Sequence, residues 1–99
     1  MIWHSSLDAL RDALADLYAT EADARRIAAT AGLDLKLITF DAKTINAWQS
    51  ILGEGMRRRR VDSLMDLALE EYSDNLELQA ACADCRDWLS KQAAAGLGK

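Results

Sequence analysis

Apolar residues recur along this chain at helical intervals almost from end to end. Leu7, Leu10, Leu14 and Leu17 share one face of a first helix, with Asp8, Arg11, Asp12 and Asp16 largely away from it. Ser5 is the expected N-cap, Asp8 completes an approximate capping box, and Trp3 is placed to fold back as a staple. Thr20 and Asp23 repeat that arrangement ahead of a second helix. The inner face of this helix is a stripe of small residues, Ala24, Ile27, Ala28 and Ala31, which permits close helix approach, and Gly32 is its expected left-handed stop.

The segment LDLKLITF, residues 33–40, is too dense in apolar groups for a loop. The pattern predicts a short third helix over residues 34–39; a lone strand is the alternative, but no partner strand is visible elsewhere. A fourth helix is expected over 44–58, with Ile45, Trp48, Leu52 and Met56 inward. Gly53 and Gly55 weaken its last turn by roughly 1 kcal/mol each. A fifth follows over 61–72, turning Val61, Leu64, Met65, Ala68 and Tyr72 inward. Ser73-Asp74-Asn75 is a turn-and-cap cluster, with Asp74 and Glu77 in capping-box spacing. The sixth helix runs to about residue 92 through Leu78, Cys82, Cys85, Trp88 and Leu89. Connections this short favour antiparallel neighbours, so the expected fold is all-α, a compact six-helix antiparallel bundle over residues 1–92. The terminal AAAGLGK, residues 93–99, is read as a frayed tail or the start of a linker.

Composition agrees with this picture. Ninety-nine residues make one domain, and 51% hydrophobic with 28% charged residues is a globular balance. No apolar run reaches the ~18 residues of a membrane span. The N-terminus lacks the basic and apolar regions of a signal peptide, and two cysteines without such a signal point to the cytoplasm.

Charge changes the picture more. Residues 1–53 carry five Lys/Arg against seven Asp/Glu, residues 54–60 four Arg against Glu54, and residues 61–99 three Lys/Arg against eight Asp/Glu. One basic knot, Arg57-Arg58-Arg59-Arg60, thus sits in a chain of net charge −4.

Candidate chemistry is thin. His4, the single histidine, reads as a surface residue with no nucleophile pattern placed to use it. Cys82-Ala-Asp-Cys85 is one CxxC, where zinc needs four ligands and a thioredoxin-type motif needs a strand before it; core cysteines are the expectation. The carboxylates lie at helical spacing on outward faces, and Trp48 and Trp88 fall on apolar stripes as core residues rather than base-stacking platforms. Neither a phosphate loop nor a metalloprotease motif is present. The expectation is a non-enzymatic chain without metal or cofactor.

Cations at the end of the fourth helix complement its dipole, but at ~0.3–1 kcal/mol each this explains one or two arginines, not four. Guanidinium groups suit carboxylates and phosphates alike. Docking on another protein is the favoured role of Arg57–Arg60, a solvated corner the plain one. A small helical nucleic-acid-binding domain is the alternative, which the acidic total opposes because counterion release needs several cations facing the phosphates together.

Several stretches together resemble effector-associated domain family 1, small helical modules of bacterial conflict systems. The residues that carry the resemblance are YATEADARRIAATAGLDL (18–35), Ile38, Phe40, Asn46, Trp48, Ile51, Leu52, Glu54, Val61, Leu64, EEY (70–72), Asn75 and Leu78. The resemblance implies a death-like six-helix fold and a homotypic adaptor: one copy fused to an effector such as a peptidase or TIR domain, another on a sensor or partner. Ser73, Gly55 and the arginine run depart from the family pattern, so partner choice is expected to depend on the exit of the fourth helix. Asymmetric docking of like domains needs two complementary patches. Arg57–Arg60 against Asp62, Asp66, Glu70 and Glu71, with Asp84 and Asp87, is one candidate pair; Arg25 and Arg26 against Asp8, Asp12 and Asp16 of a neighbour is another. Exposed ion pairs give only ~0.2–1 kcal/mol each, so such docking, self-association included, is weak and salt-sensitive.

Overall fold

The computed structural model describes residues 3–97, with side chains through residue 92. It is all-helical among those residues: α1 (Ser5–Leu17), α2 (Glu21–Thr30), α3 (Thr44–Arg58), α4 (Val61–Glu71) and α5 (Leu76–Leu97). α1 lies against α5 and α3, α2 against α3 and α4, and α4 against α3 and α5. The helices expected as first, second, fourth, fifth and sixth are present within a residue or two at their starts.

The third is not. Residues 35–37 form one 3₁₀ turn, so there are five α-helices rather than six. The physical reason is local. Asp34 accepts a hydrogen bond from the Lys36 N–H at 3.0 Å, and the amides of Leu37 and Ile38 bond back only three residues. So short a segment cannot offset helix nucleation. Its apolar residues are dense because the segment lies against the core and covers it: Leu33 and Ile38 are buried, Leu35 and Phe40 half-buried, and Leu37 turns outward.

The core is the predicted set with a few exchanges. Leu7, Leu10 and Leu14 of α1, Ala24, Ile27 and Ala28 of α2, Trp48, Ile51 and Leu52 of α3, Val61, Leu64, Met65 and Ala68 of α4, and Leu78, Cys82 and Cys85 of α5 are buried. Each large one stabilises by roughly 1.5–3 kcal/mol. Trp48 is fully buried and its Nε1 donates to the Tyr18 carbonyl at 3.1 Å, which satisfies the one polar group it carries inward. Ile45 and Tyr72, expected inward, are exposed, because each stands at a helix end where the apolar stripe runs off the core.

The caps explain the boundaries. His4, not Ser5, caps α1: its Nδ1 accepts from the Ser6 N–H at 3.1 Å, and its ring stacks on Trp88 at 4.7 Å, so it is no plain surface residue. Asp8 is occupied by the Trp3 indole at 2.6 Å, which pins Trp3 back on the first helix. Thr20 caps α2 as expected, accepting from the Asp23 N–H at 3.2 Å. Asn75 rather than Asp74 caps α5, through the Leu78 N–H at 2.9 Å.

Two helices end in the same motif with different residues. After α2, Gly32 at φ 86° lets the Leu33 N–H reach the Ala28 carbonyl at 3.1 Å. After α3, Arg59 takes the left-handed position at φ 57°, and the Arg60 N–H reaches the Gly55 carbonyl at 2.8 Å. A side chain there is strained where glycine is not. Gly55 itself is packed: a Cβ would lie 3.1 Å from Leu64 Cδ1 and 3.3 Å from Val61 Cγ2, so α4 approaches α3 where alanine would crowd it. α5 continues to Leu97, past the expected end near residue 92. The tail or linker expected at 93–99 falls on positions whose side chains, and for 98–99 the backbone, lie outside the described residues.

Candidate protein-interaction surface

The four consecutive arginines divide into two pairs with different work. Glu54, one α-helical turn earlier, is a carboxylate only 1% exposed. Arg57 and Arg58 reach back to it at i+3 and i+4. Arg57 contacts one carboxylate oxygen, with Nη2 at 2.9 Å and Nε at 3.0 Å, and Arg58 Nε contacts the other at 2.9 Å. Burial alone would push this carboxyl up; the hydrogen bonds from Arg58 and Arg57 outweigh it and hold Glu54 below the ordinary carboxylate value. Arg57 and Arg58 therefore neutralise an acid that the fold buries.

Arg59 and Arg60 have no carboxylate within ion-pair distance among the described residues, and both side chains are exposed. The Arg60 guanidinium lies beside Gly32, where a Cβ would sit 3.9 Å away. The end of α2 and the α3–α4 turn thus meet at Arg60.

The second predicted basic pair is also engaged. Arg26 holds Glu71 of α4 through two bonds, 2.8 and 3.1 Å, and the buried Tyr18 donates its hydroxyl to the same carboxylate at 2.9 Å. The bonds from Arg26 and Tyr18 hold Glu71 below the ordinary carboxylate value. Burial and that same bond push the Tyr18 phenol well above its ordinary value. Tyr72 packs edge-on against Tyr18 at 5.4 Å, so the node ties α1, α2 and α4. Arg25 pairs with Glu21 at 2.7 Å and lies 4.1 Å over the Phe40 ring. Of the acids proposed for docking, Asp66 bonds Arg86 and Asp87 bonds Lys91, while Asp62 and Glu70 are exposed. Asp62 lies in the first turn of α4, next to the arginines rather than opposite them.

Sequence reasoning passed over Glu54 as an organising residue. The signal was the spacing itself: an acid three and four residues ahead of two arginines on one helix. Tyr18 gave no such signal, because the acid its hydroxyl bonds, Glu71, is 53 residues away in sequence and meets it only in the fold.

Little here resembles a reaction site. A cleft of about 140 Å³ lies between the α1–α2 turn and the start of α3, lined by Thr20, Glu21, Asp41, Thr44 and alanines. Ligand pockets are usually ~300 Å³ or larger. Burial pushes the Cys82 thiol up to about 11 and raises Cys85 as well, against a hydrogen bond from Ser6, so both thiols are held unreactive in the core. No three His, Cys, Asp or Glu side chains gather as a metal site among the described residues, and no helix there is long and apolar enough to cross a membrane.

The described residues form a small all-helical module. Residues 4–86 match the family described as effector-associated domain 1, and the chain belongs to that family. No curated protein and no solved structure matches it.

Proposed function

We propose that this chain is a non-enzymatic adaptor, a death-like module of the cytoplasm that recruits an effector, a peptidase, TIR domain or similar, by docking on another copy of the same domain family in bacterial immunity or programmed cell death. Family membership across residues 4–86 is the observation that carries the reading. What supports it physically is the pair of exposed guanidinium groups, Arg59 and Arg60, at the α3–α4 turn with no carboxylate within ion-pair distance among the described residues. A weak, salt-sensitive contact of this kind suits an adaptor, because linkage of several copies multiplies it into a switchable assembly.

The test is retention of a second effector-associated domain by the immobilised chain. Reversing all four arginines would confound it, since Arg57 and Arg58 neutralise buried Glu54. The informative variant is Arg59→Glu/Arg60→Glu. It is expected to keep the helical circular dichroism of the parent and to lose retention; full retention by that variant removes the corner from the interface. Failure of the parent chain to retain any such domain removes the reading itself.

A further inference from the structure

Two helices leave through a left-handed residue, and only one of them uses glycine. α2 leaves by Gly32 at φ 86°, where there is no side chain to strain. α3 leaves by Arg59 at φ 57° and ψ 42°. The Arg59 amide bonds the Met56 carbonyl at 3.3 Å, and the next amide bonds the Gly55 carbonyl at 2.8 Å. Arg59 is the one non-glycine residue at positive φ among the described residues. In that conformation a Cβ crowds the following carbonyl oxygen, and glycine makes the same turn without the penalty. A side chain kept at such a point has to be explained by what it does.

The fold gives the Arg59 side chain no task. Arg57 and Arg58 hold buried Glu54. Arg60 lies against the end of α2, with Cζ and Nε each 3.9 Å from where a Cβ on Gly32 would stand. A cation favours that negative helix end. The Arg59 side chain is exposed, with neither a carboxylate within ion-pair distance nor an aromatic ring beneath it among the described residues. Helix dipoles do not account for it either. The end of α3 attracts a cation, but α4 begins two residues later at Val61, and a helix start repels one.

We infer that the Arg59 guanidinium is the specificity-determining contact of the docking surface, recognising a carboxylate on the partner domain and held out from the fold by a strained turn. The inference rests on the adaptor reading above and divides the pair named there: Arg59 reads the partner, and Arg60 fastens the turn to α2. A planar guanidinium meets a carboxylate through two parallel donors, which fixes orientation as well as charge. The turn that carries it is one the fold would hold more stably with glycine, so stability and recognition oppose each other at this position.

Thermal midpoints and Kd, measured on the same full-length variants, test this. The binding probe is a panel of immobilised effector-associated domains at low salt, with circular dichroism confirming each fold. Arg59→Gly is expected to raise the midpoint and to weaken Kd about fivefold, the upper end for one exposed ion pair. Arg59→Ala removes the same guanidinium but keeps a Cβ at positive φ; it is expected to weaken Kd equally without raising the midpoint. Arg60→Gln is expected to lower the midpoint and to leave Kd unchanged. Parent-like binding by either Arg59 variant, an unraised midpoint in Arg59→Gly, or a larger loss of affinity in Arg60→Gln than in Arg59→Ala overturns the inference and leaves the adaptor reading standing. A parent chain retained by no domain of the panel overturns the adaptor reading and the inference with it.

Discussion

Two carboxylates, Glu54 and Glu71, are each held by guanidinium groups, and they hold the molecule in different ways. Glu54 is buried and its partners, Arg57 and Arg58, come from its own helix. Glu71 is partly exposed, and its partners Arg26 and Tyr18 come from two other helices, 45 and 53 residues away. The first is a local solution to an enclosed charge. The second is a long-range tie among α1, α2 and α4. The comparison teaches that the number of elements a polar cluster joins and the penalty for breaking it are separate matters: exposure decides the second.

The largest effect should therefore come at the local site. Arg57→Ala/Arg58→Ala leaves Glu54 enclosed without a counter-charge. Removing partners from a buried charge costs ~3–5 kcal/mol, and about 2–3 is expected here because both guanidinium groups are half in water. Urea unfolding reads it, and adding Glu54→Gln to the same variant should recover much of the loss. A double variant as stable as the parent would show that water reaches Glu54.

Acid should act through both clusters. Each carboxyl has a folded-state value below its unfolded one, so the stabilisation is present at neutral pH and is lost as pH falls below the ordinary value of 4.5 towards the depressed folded value. A Glu54→Gln chain, compared with the parent by urea unfolding across that window, is expected to show a shallower decline.

Tyr18→Phe removes the hydroxyl from the long-range tie and leaves Glu71 with Arg26 and water. A loss of about 1 kcal/mol is expected by urea unfolding, less than at Glu54 although more helices are joined. A larger loss than that of the arginine pair would reverse the ranking by exposure.

Smallest are three backbone changes near the arginines. Arg59→Gly relieves the left-handed residue at φ 57° and should stabilise by about 1 kcal/mol. Gly53→Ala, where a Cβ meets nothing within 4 Å, should stabilise by roughly 0.5–1 kcal/mol. Gly55→Ala should not, given the crowding against Leu64 and Val61. Thermal midpoints of the three separate these outcomes.

What the sequence disclosed follows from range. Helical periodicity, Thr20 as a cap and Gly32 as a stop are encoded within a turn or two, and each is found where the pattern places it. The segment 33–40 misled because apolar density alone does not separate a helix from an irregular segment that covers the core. Ile45 and Tyr72 misled because periodicity says which face is apolar, not where the core stops. At the arginine run, adjacency suggested one patch of four. Only the burial of Glu54 in the fold divides it into two arginines that neutralise and two without a carboxylate partner among the described residues. The Tyr18–Glu71–Arg26 node was illegible for the opposite reason, its members being scattered along the chain. Most residues that carry the family resemblance, among them Tyr18, Arg26, Trp48, Glu54 and Glu71, build the scaffold, while Arg59 and Arg60 lie outside it.

The division of the arginine run is most directly tested by one paired pull-down with a second effector-associated domain, Arg59→Glu/Arg60→Glu against the parent, with folding followed by circular dichroism in the same samples. The account predicts unchanged helicity and lost retention. Retention equal to the parent's, or loss of helicity on reversing these two residues alone, would contradict it.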